Sequence, residues 1–123
     1  MSQQFDVIVI GGGPAGVEAA AEAGRRGMTT ALVADMPIGG RATYGSLLPS
    51  KAWLHAAEQR TGGTEAGDPA PLRARIQALQ KERTAQLAAR LETAGVQTIS
   101  AGARLIDRHT VRVDGDGESR ELS

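Results

Sequence analysis

An unbroken apolar run leads straight into a glycine turn that opens a helix. This feature limits what the chain can fold into more than any other. Phe5-Asp6-Val7-Ile8-Val9-Ile10 is followed at once by Gly11-Gly12-Gly13-Pro14-Ala15-Gly16. A β-branched run without alternation predicts a strand buried on both faces of a parallel sheet. The alanine-rich stretch from Val17 to Arg26 has no breaker until Gly24 and predicts a helix ending at Gly27. Thr29 to Val33 predicts a second buried strand. Residues 1–35 therefore read as a βαβ unit, and the chain as α/β.

The glycines fall as G-x-G-x-x-G at Gly11, Gly13 and Gly16. Gly11 permits the tight turn out of the strand. Gly13 lets a pyrophosphate approach the backbone, and Gly16 lets helix and strand pack closely. Pro14 and Ala15 lie at the helix start, whose exposed N–H groups and positive end would face the phosphates. The pattern alone is weak, and a purely structural turn would also use it. Its position between a strand and a helix is the context that a dinucleotide site requires. The fingerprint is completed by an acidic residue about 20 positions on, at the end of the second strand. Asp35 is the candidate, although Ala34 precedes it and a one-residue slip reverses side-chain direction. Asp35 reads equally well as a ribose ligand and as a turn aspartate before Pro37.

Composition removes whole classes of function. There is no cysteine, so no disulfide framework, thiolate nucleophile or iron–sulfur cluster. Fourteen basic residues balance fourteen acidic ones, which leaves no global attraction for nucleic acid or anionic lipid. No run approaches the roughly 20 apolar residues of a membrane span. No charged segment with a cleavage site precedes the first apolar run, so no signal peptide is expected and the cytoplasm is the expected location. At 123 residues the chain is one domain or part of one.

A second signature follows the first. Gly39-Gly40 is succeeded by Leu48-Pro49-Ser50-Lys51 and an alanine-rich helix. The two motifs together resemble the N-terminal FAD-binding region of the flavoprotein disulfide reductases, such as dihydrolipoamide dehydrogenase, glutathione reductase and mercuric reductase. The resemblance covers essentially the whole chain. It implies FAD in an extended form, with its pyrophosphate on the Gly11–Gly16 turn and Asp35 or a neighbour at the adenosine ribose. It implies Gly39, Gly40 and Arg41 near the pyrophosphate and ribityl chain. Lys51 would match the lysine beside the flavin, where a cation helps stabilise negative charge on the reduced ring. Otherwise Lys51 is a solvated lysine in the first turn of a helix, an unfavourable place for a cation.

Three departures from the family pattern matter. Ala42 and Leu47 stand where the redox cysteines would be, so disulfide reduction through this segment is excluded on chemical grounds. Relatives such as the soluble pyridine nucleotide transhydrogenase lack the complete pair yet keep flavin and nicotinamide chemistry, and that type of reaction stays open. Arg41 replaces the family's threonine, and Ala34 its acidic residue. Both put the grip on adenosine and pyrophosphate in doubt.

Residues 39–60 read as a flavin-side loop and a helix from Ser50 to Arg60. Ser50 or Pro49 would start this helix, and Leu54, Ala57 and Trp53 would line one face. His55 shares the face of Lys51 and reads as a packing or surface histidine, with no metal-ligand partners nearby. Tyr44 reads either as a flavin shield or as a turn anchor. Residues 61–71 read as a flexible loop, and residues 72–95 as a long amphipathic helix with apolar positions 72, 76, 79, 87 and 91. Its basic flanks read as solvated rather than as a nucleic-acid surface. Residues 96–122 give a third parallel strand from Val96 to Ser100 and an antiparallel β-meander from Ala103 to Ile106, Thr110 to Val113 and Glu118 to Leu122. His109 falls in the first meander turn. The turn Asp114-Gly115-Asp116-Gly117 lacks the spacing of a calcium loop, and no metal site is expected.

The expected architecture is a Rossmann-like FAD-binding βαβ with a parallel sheet plus a β-meander, a partial FAD/NAD(P)-binding domain over residues 1–123. The family's next strand, its NAD(P)-binding domain and its interface domain are not in this sequence. The expected role is FAD binding within a flavin-dependent pyridine nucleotide oxidoreductase, with NAD(P)H bound by the missing remainder. Expected partners are a C-terminal region, a complementary subunit or a second copy. The alternative is a non-catalytic nucleotide-binding or assembly subunit of the same fold.

Overall fold

A computed structural model describes residues 3–59 and 68–123 of the chain. The elements run β1 (Val7–Ile10), α1 (Pro14–Arg25), β2 (Thr30–Ala34), α2 (Gly40–Tyr44), α3 (Leu47–Glu58), α4 (Ala70–Thr93), β3 (Gln97–Ser100), β4 (Gly102–Leu105), β5 (Val111–Gly115) and β6 (Glu118–Leu122). The first three strands form a parallel sheet in the order β1-β2-β3, with Val7 opposite Thr30 and Ala31 opposite Gln97. The last three form an antiparallel meander in the order β4-β5-β6. The α/β reading holds, as do the parallel sheet and the meander.

Strand β2 is central, and all five of its residues are buried. Successive side chains on a strand point to opposite faces, so β2 feeds two cores. Leu32 and Ala34 pack with Val17, Ala20, Ala21 and Leu91 on the helix side. Val33 packs with Val111, Val113 and Leu122 on the meander side. Small residues let the helices close over the sheet. A Cβ added at Gly24 of α1 would lie 2.3 Å from the carbonyl oxygen of Ala94, at the end of α4.

The expected burial of β1 on both faces is not observed. Its residues are half-buried, and Ile10 is 46% exposed, because β1 pairs only with β2 among the described residues. The strand starts at Val7 rather than Phe5. Phe5 packs against the meander core, while the Asp6 carboxylate accepts hydrogen bonds from the Thr29 amide and hydroxyl. Helix α1 begins at Pro14, whose missing N–H costs nothing at a first helical position.

Other boundaries move for local reasons. Helix α3 starts at Leu47, ahead of both expected starts, Pro49 and Ser50, and accommodates Pro49 in its first turn, where no backbone donor is required. The expected apolar face of Leu54, Ala57 and Trp53 is not covered: α3 buries no residue, and Leu54 is 64% exposed. Helix α4 starts at Ala70 rather than Leu72. Pro69 and Pro71 open it instead of ending a loop, and the Asp68 carboxylate accepts from the Ala70 amide at 2.9 Å. The rest of the expected 61–71 loop, up to residue 67, lies outside the described residues. On α4, Ile76, Leu87 and Leu91 are buried, but Leu79 is exposed. Val96 joins the helix-side core just before β3. The last hairpin turns through Asp116 (φ 53°) and Gly117 (φ 79°), both left-handed, which is the geometry of a tight two-residue connection. No helix among the described residues is long and apolar enough to cross a membrane.

Candidate functional site

The glycine turn joins β1 to α1 at one end of the parallel sheet. Gly11 has a φ of 110°, a conformation that L side chains rarely adopt. A Cβ at Gly16 would lie 2.0 Å from the Gly11 carbonyl oxygen, so only glycine allows α1 to start this close to the strand. A Cβ at Gly13 would meet nothing within 4 Å, which leaves bare backbone facing open space. Helix α1 has no side-chain cap and no acidic residue in its first turn. The amides of Ala15 and Gly16 lie in that turn, where helix geometry supplies no acceptor.

The second glycine pair lies against the first turn. The Gly39 amide donates to the Gly12 carbonyl at 2.8 Å. A Cβ at Gly40 (φ 55°) would lie 3.0 Å from Gly13 Cα and 3.1 Å from its nitrogen. Motifs separated in sequence thus share one surface. Ala34 closes its floor, with its Cβ 3.2 Å from the position a Gly12 Cβ would take. Asp35 follows directly after the last strand residue and is exposed. Arg41 is exposed on α2, and its guanidinium forms no ion pair with the described residues.

Beside this surface a cleft of about 600 Å³ runs between α1, α2, α3 and α4. Pro14, Gly39, Ala42, Leu47, Lys51 and Arg83 are among its lining residues. The two positions that carry alanine and leucine in place of cysteine therefore open onto the same space as Lys51. Lys51 is exposed and sits beyond the first turn of α3, because that helix begins at Leu47. The adverse first-turn placement expected for this cation does not arise. Of the expected site residues, Gly11, Gly13, Gly16, Gly39 and Gly40 meet around the two turns. Pro14 and Gly39 border both turn and cleft, Lys51 borders the cleft, and Arg41 and Asp35 lie at the solvent side.

Glu18 also lines the cleft and is held by a two-pronged ion pair to Arg90, with the second contact at 2.8 Å. The hydrogen bonds from Arg90 keep the Glu18 carboxyl below its ordinary range, and the same contact raises Arg90. Tyr44 is a turn anchor: its hydroxyl lies 2.6 Å from Thr84 Oγ1 on α4. Thr84 Oγ1 donates to the Ile38 carbonyl at 2.7 Å, and Gln80 Nε2 donates to the Thr43 carbonyl at 3.1 Å. The sequence reading missed Thr84 and Gln80. Their signal was available, because residues 80 and 84 fill the interval between Ile76 and Leu87 at helical spacing.

His55 is exposed, with Nε2 3.0 Å from Gln59 Nε2. His109 is an exposed turn residue whose amide donates to the Asp107 carboxylate. No group of metal-ligating side chains occurs among the described residues.

Residues 5–122 match the family model described as pyridine nucleotide-disulphide oxidoreductase. The chain is 31% identical to a dihydrolipoyl dehydrogenase of Pseudomonas aeruginosa, an alignment that covers 98% of this chain and 30% of that protein. It is 44% identical over 57 residues to a soluble pyridine nucleotide transhydrogenase of Hahella chejuensis, covering 46% of this chain and 12% of the relative. The crystal structure of LpdA from Mycobacterium tuberculosis superposes with a TM-score of 0.81 at 30% identity, over 98% of this chain and 29% of that one. The Cu(II) complex of the HOCl-induced flavoprotein disulfide reductase RclA from Escherichia coli shares the fold, with a TM-score of 0.85 at 22% identity. The chain thus spans about 30% of the length of the Pseudomonas relative. With a match that runs from Phe5 to Leu122, the chain belongs to the pyridine nucleotide-disulphide oxidoreductase family.

Proposed function

We propose that this chain is the FAD-binding portion of a flavin-dependent pyridine nucleotide oxidoreductase. The observation that carries the reading is the meeting of two glycine turns, with Gly39 hydrogen-bonded to Gly12 and Gly40 against Gly13. The residues fit the cofactor: an uncapped helix start, open space above Gly13 and no acidic group in the first turn suit a pyrophosphate. When bound, FAD supplies hydride acceptance from NAD(P)H and delivery to an acceptor. Gly13, Pro14, Ala15 and Gly16 hold the pyrophosphate, and Gly39 and Gly40, packed against that turn, lie near the pyrophosphate and ribityl chain. Asp35 reaches the adenosine ribose, Arg41 flanks the phosphates from the solvent side, and Lys51 stands as a cation toward the flavin. Ala42 and Leu47 offer no thiol, so the acceptor is not reduced through a disulfide in this segment.

NAD(P)H binding and the second half of the reaction fall to protein beyond this sequence. The outer edge of β1 carries no strand among the described residues, and such an edge accepts an added strand. A C-terminal region of the parent polypeptide or a complementary subunit fits that edge, and so does a second copy. The loss of both thiol positions in the cleft favours one rival, a non-catalytic nucleotide-binding or assembly subunit. The absorption spectrum of the protein purified without added cofactor, then titrated with FAD, separates the two. The visible bands of bound oxidised flavin support the oxidoreductase reading. A colourless protein without affinity for added FAD rejects it.

A further inference from the structure

We infer that Thr84, assisted by Gln80, is a positioning residue for the cofactor surface: a polar clip on α4 that sets the Gly39–Gly40 turn against the Gly11–Gly16 turn. The inference rests on the FAD reading above and adds residues that neither glycine motif contains.

Helix α2 is a single short segment of five residues, and both the glycine before it, Gly39, and its first residue, Gly40, have left-handed φ values, 113° and 55°. Such a segment has little intrinsic preference for one position. Four side-chain contacts between α4 and this segment fix it, one of them from the Tyr44 hydroxyl to the Gln80 carbonyl at 3.4 Å. Thr84 Oγ1 donates to the Ile38 carbonyl at 2.7 Å, directly before Gly39. A hydroxyl has one proton, so the 2.6 Å contact with Tyr44 is donated by the tyrosine. Gln80 Nε2 donates to the Thr43 carbonyl at 3.1 Å. Both ends of the 38–44 segment are thereby tied to one face of α4, and α4 is anchored to the sheet by the fully buried Leu91.

The link continues to the cofactor surface. The Ile38 Cδ1 atom lies 3.1 Å from where a Gly12 Cβ would be, and Gly39 donates to the Gly12 carbonyl. Moving Ile38 outward would lengthen that bond and open the contact between Gly40 and Gly13. The hydroxyl of Thr84 therefore acts on the cofactor through Ile38, Gly39 and Gly12, without a contact of its own.

The test compares Thr84→Val, which keeps the shape and removes the hydroxyl, with Thr84→Ser, which restores it. The first readout is amide exchange by NMR in the 123-residue chain without cofactor. In Thr84→Val the Gly39 amide exchanges about tenfold faster, as expected for a lost hydrogen bond, while Leu32 of β2 is unchanged. Thr84→Ser returns Gly39 to the parent rate. The second readout is FAD affinity, which weakens about tenfold in Thr84→Val and recovers in Thr84→Ser. Unchanged Gly39 exchange in Thr84→Val overturns the clip, whether or not FAD binds. So does equal acceleration at Gly39 and Leu32, which marks general destabilisation. Parent protein that ignores FAD while Gly39 responds to the substitution rejects the FAD reading and leaves only the structural half of the clip.

Discussion

The Gly39 amide donates a hydrogen bond of 2.8 Å to the Gly12 carbonyl, and this bond converts two separate glycine motifs into one surface. Each motif alone is a turn. Joined, they present bare backbone at Gly13 next to an uncapped helix start.

The glycines of the first turn divide into structural and functional ones. Gly16→Ala costs about 1–3 kcal/mol in urea unfolding, because its Cβ would collide with the Gly11 carbonyl at 2.0 Å. Gly13→Ala stays within about 1 kcal/mol of the parent, since Gly13 has an extended backbone and open space around it. Enlarging the same position, Gly13→Val weakens FAD binding at least about tenfold at nearly unchanged stability. Flavin titration and urea melts on the three variants check this division.

Leu91→Ala costs about 2–5 kcal/mol, as expected for truncating a fully buried leucine. Leu91 packs α4 onto α1 and β2, so the loss appears as a lower urea midpoint followed by circular dichroism.

Lys51→Met tests the cation at the cleft. FAD affinity should stay within about threefold, while the potential of the bound flavin falls by about 30 mV, equivalent to about 1.4 kcal/mol for a two-electron couple. Dye equilibration measures this. An unchanged potential removes Lys51 from the flavin's surroundings.

Acid weakens the fold through identifiable carboxylates. The Thr29 hydroxyl and then the Thr29 amide hold the Asp6 carboxyl below its ordinary value, as hydrogen bonds from Arg90 do for Glu18. A lowered folded-state value means that folding favours the ionised form. The contribution is complete above the unfolded-state value of about 4 and is lost as pH falls through the folded value. Asp6→Asn therefore flattens the dependence of stability on pH below about 4 and lowers stability near neutrality. Urea midpoints across that range report both effects.

Local chemistry made the first βαβ unit legible. The β-branched run, Gly11, Gly16 and the alanine helix each specify one conformation, and they agree. The meander was legible for the same reason, with turn residues at each reversal. Helix starts were not, because a proline in the first turn of a helix reads in sequence as its first residue or as part of a loop. Pro49 and Pro71 both lie inside helices. The exposure of Ile10, Trp53 and Leu54 was also hidden, since hydrophobic composition says nothing of which neighbours are present to cover a face. Within the candidate site, the glycines could be read because their role is steric and local. The helical spacing of Thr84 places it on the inner face of α4, but its partner Ile38, far away in the chain, is shown only by the fold.

The central place of β2 also dictates an order of assembly. Its pairing with β1 needs only the short α1 connection, whereas its pairing with β3 must bring Ala31 to Gln97 across α2, α3 and α4. Distant pairings carry the larger loop-closure cost and slow folding. The β1-α1-β2 unit is thus the natural early structure, with Leu32 and Val33 waiting for their respective cores. Rate-limiting closure falls to β3, so substitutions between β1 and β2, whose contacts are already made by then, should slow folding at least as much as those at the β2–β3 seam.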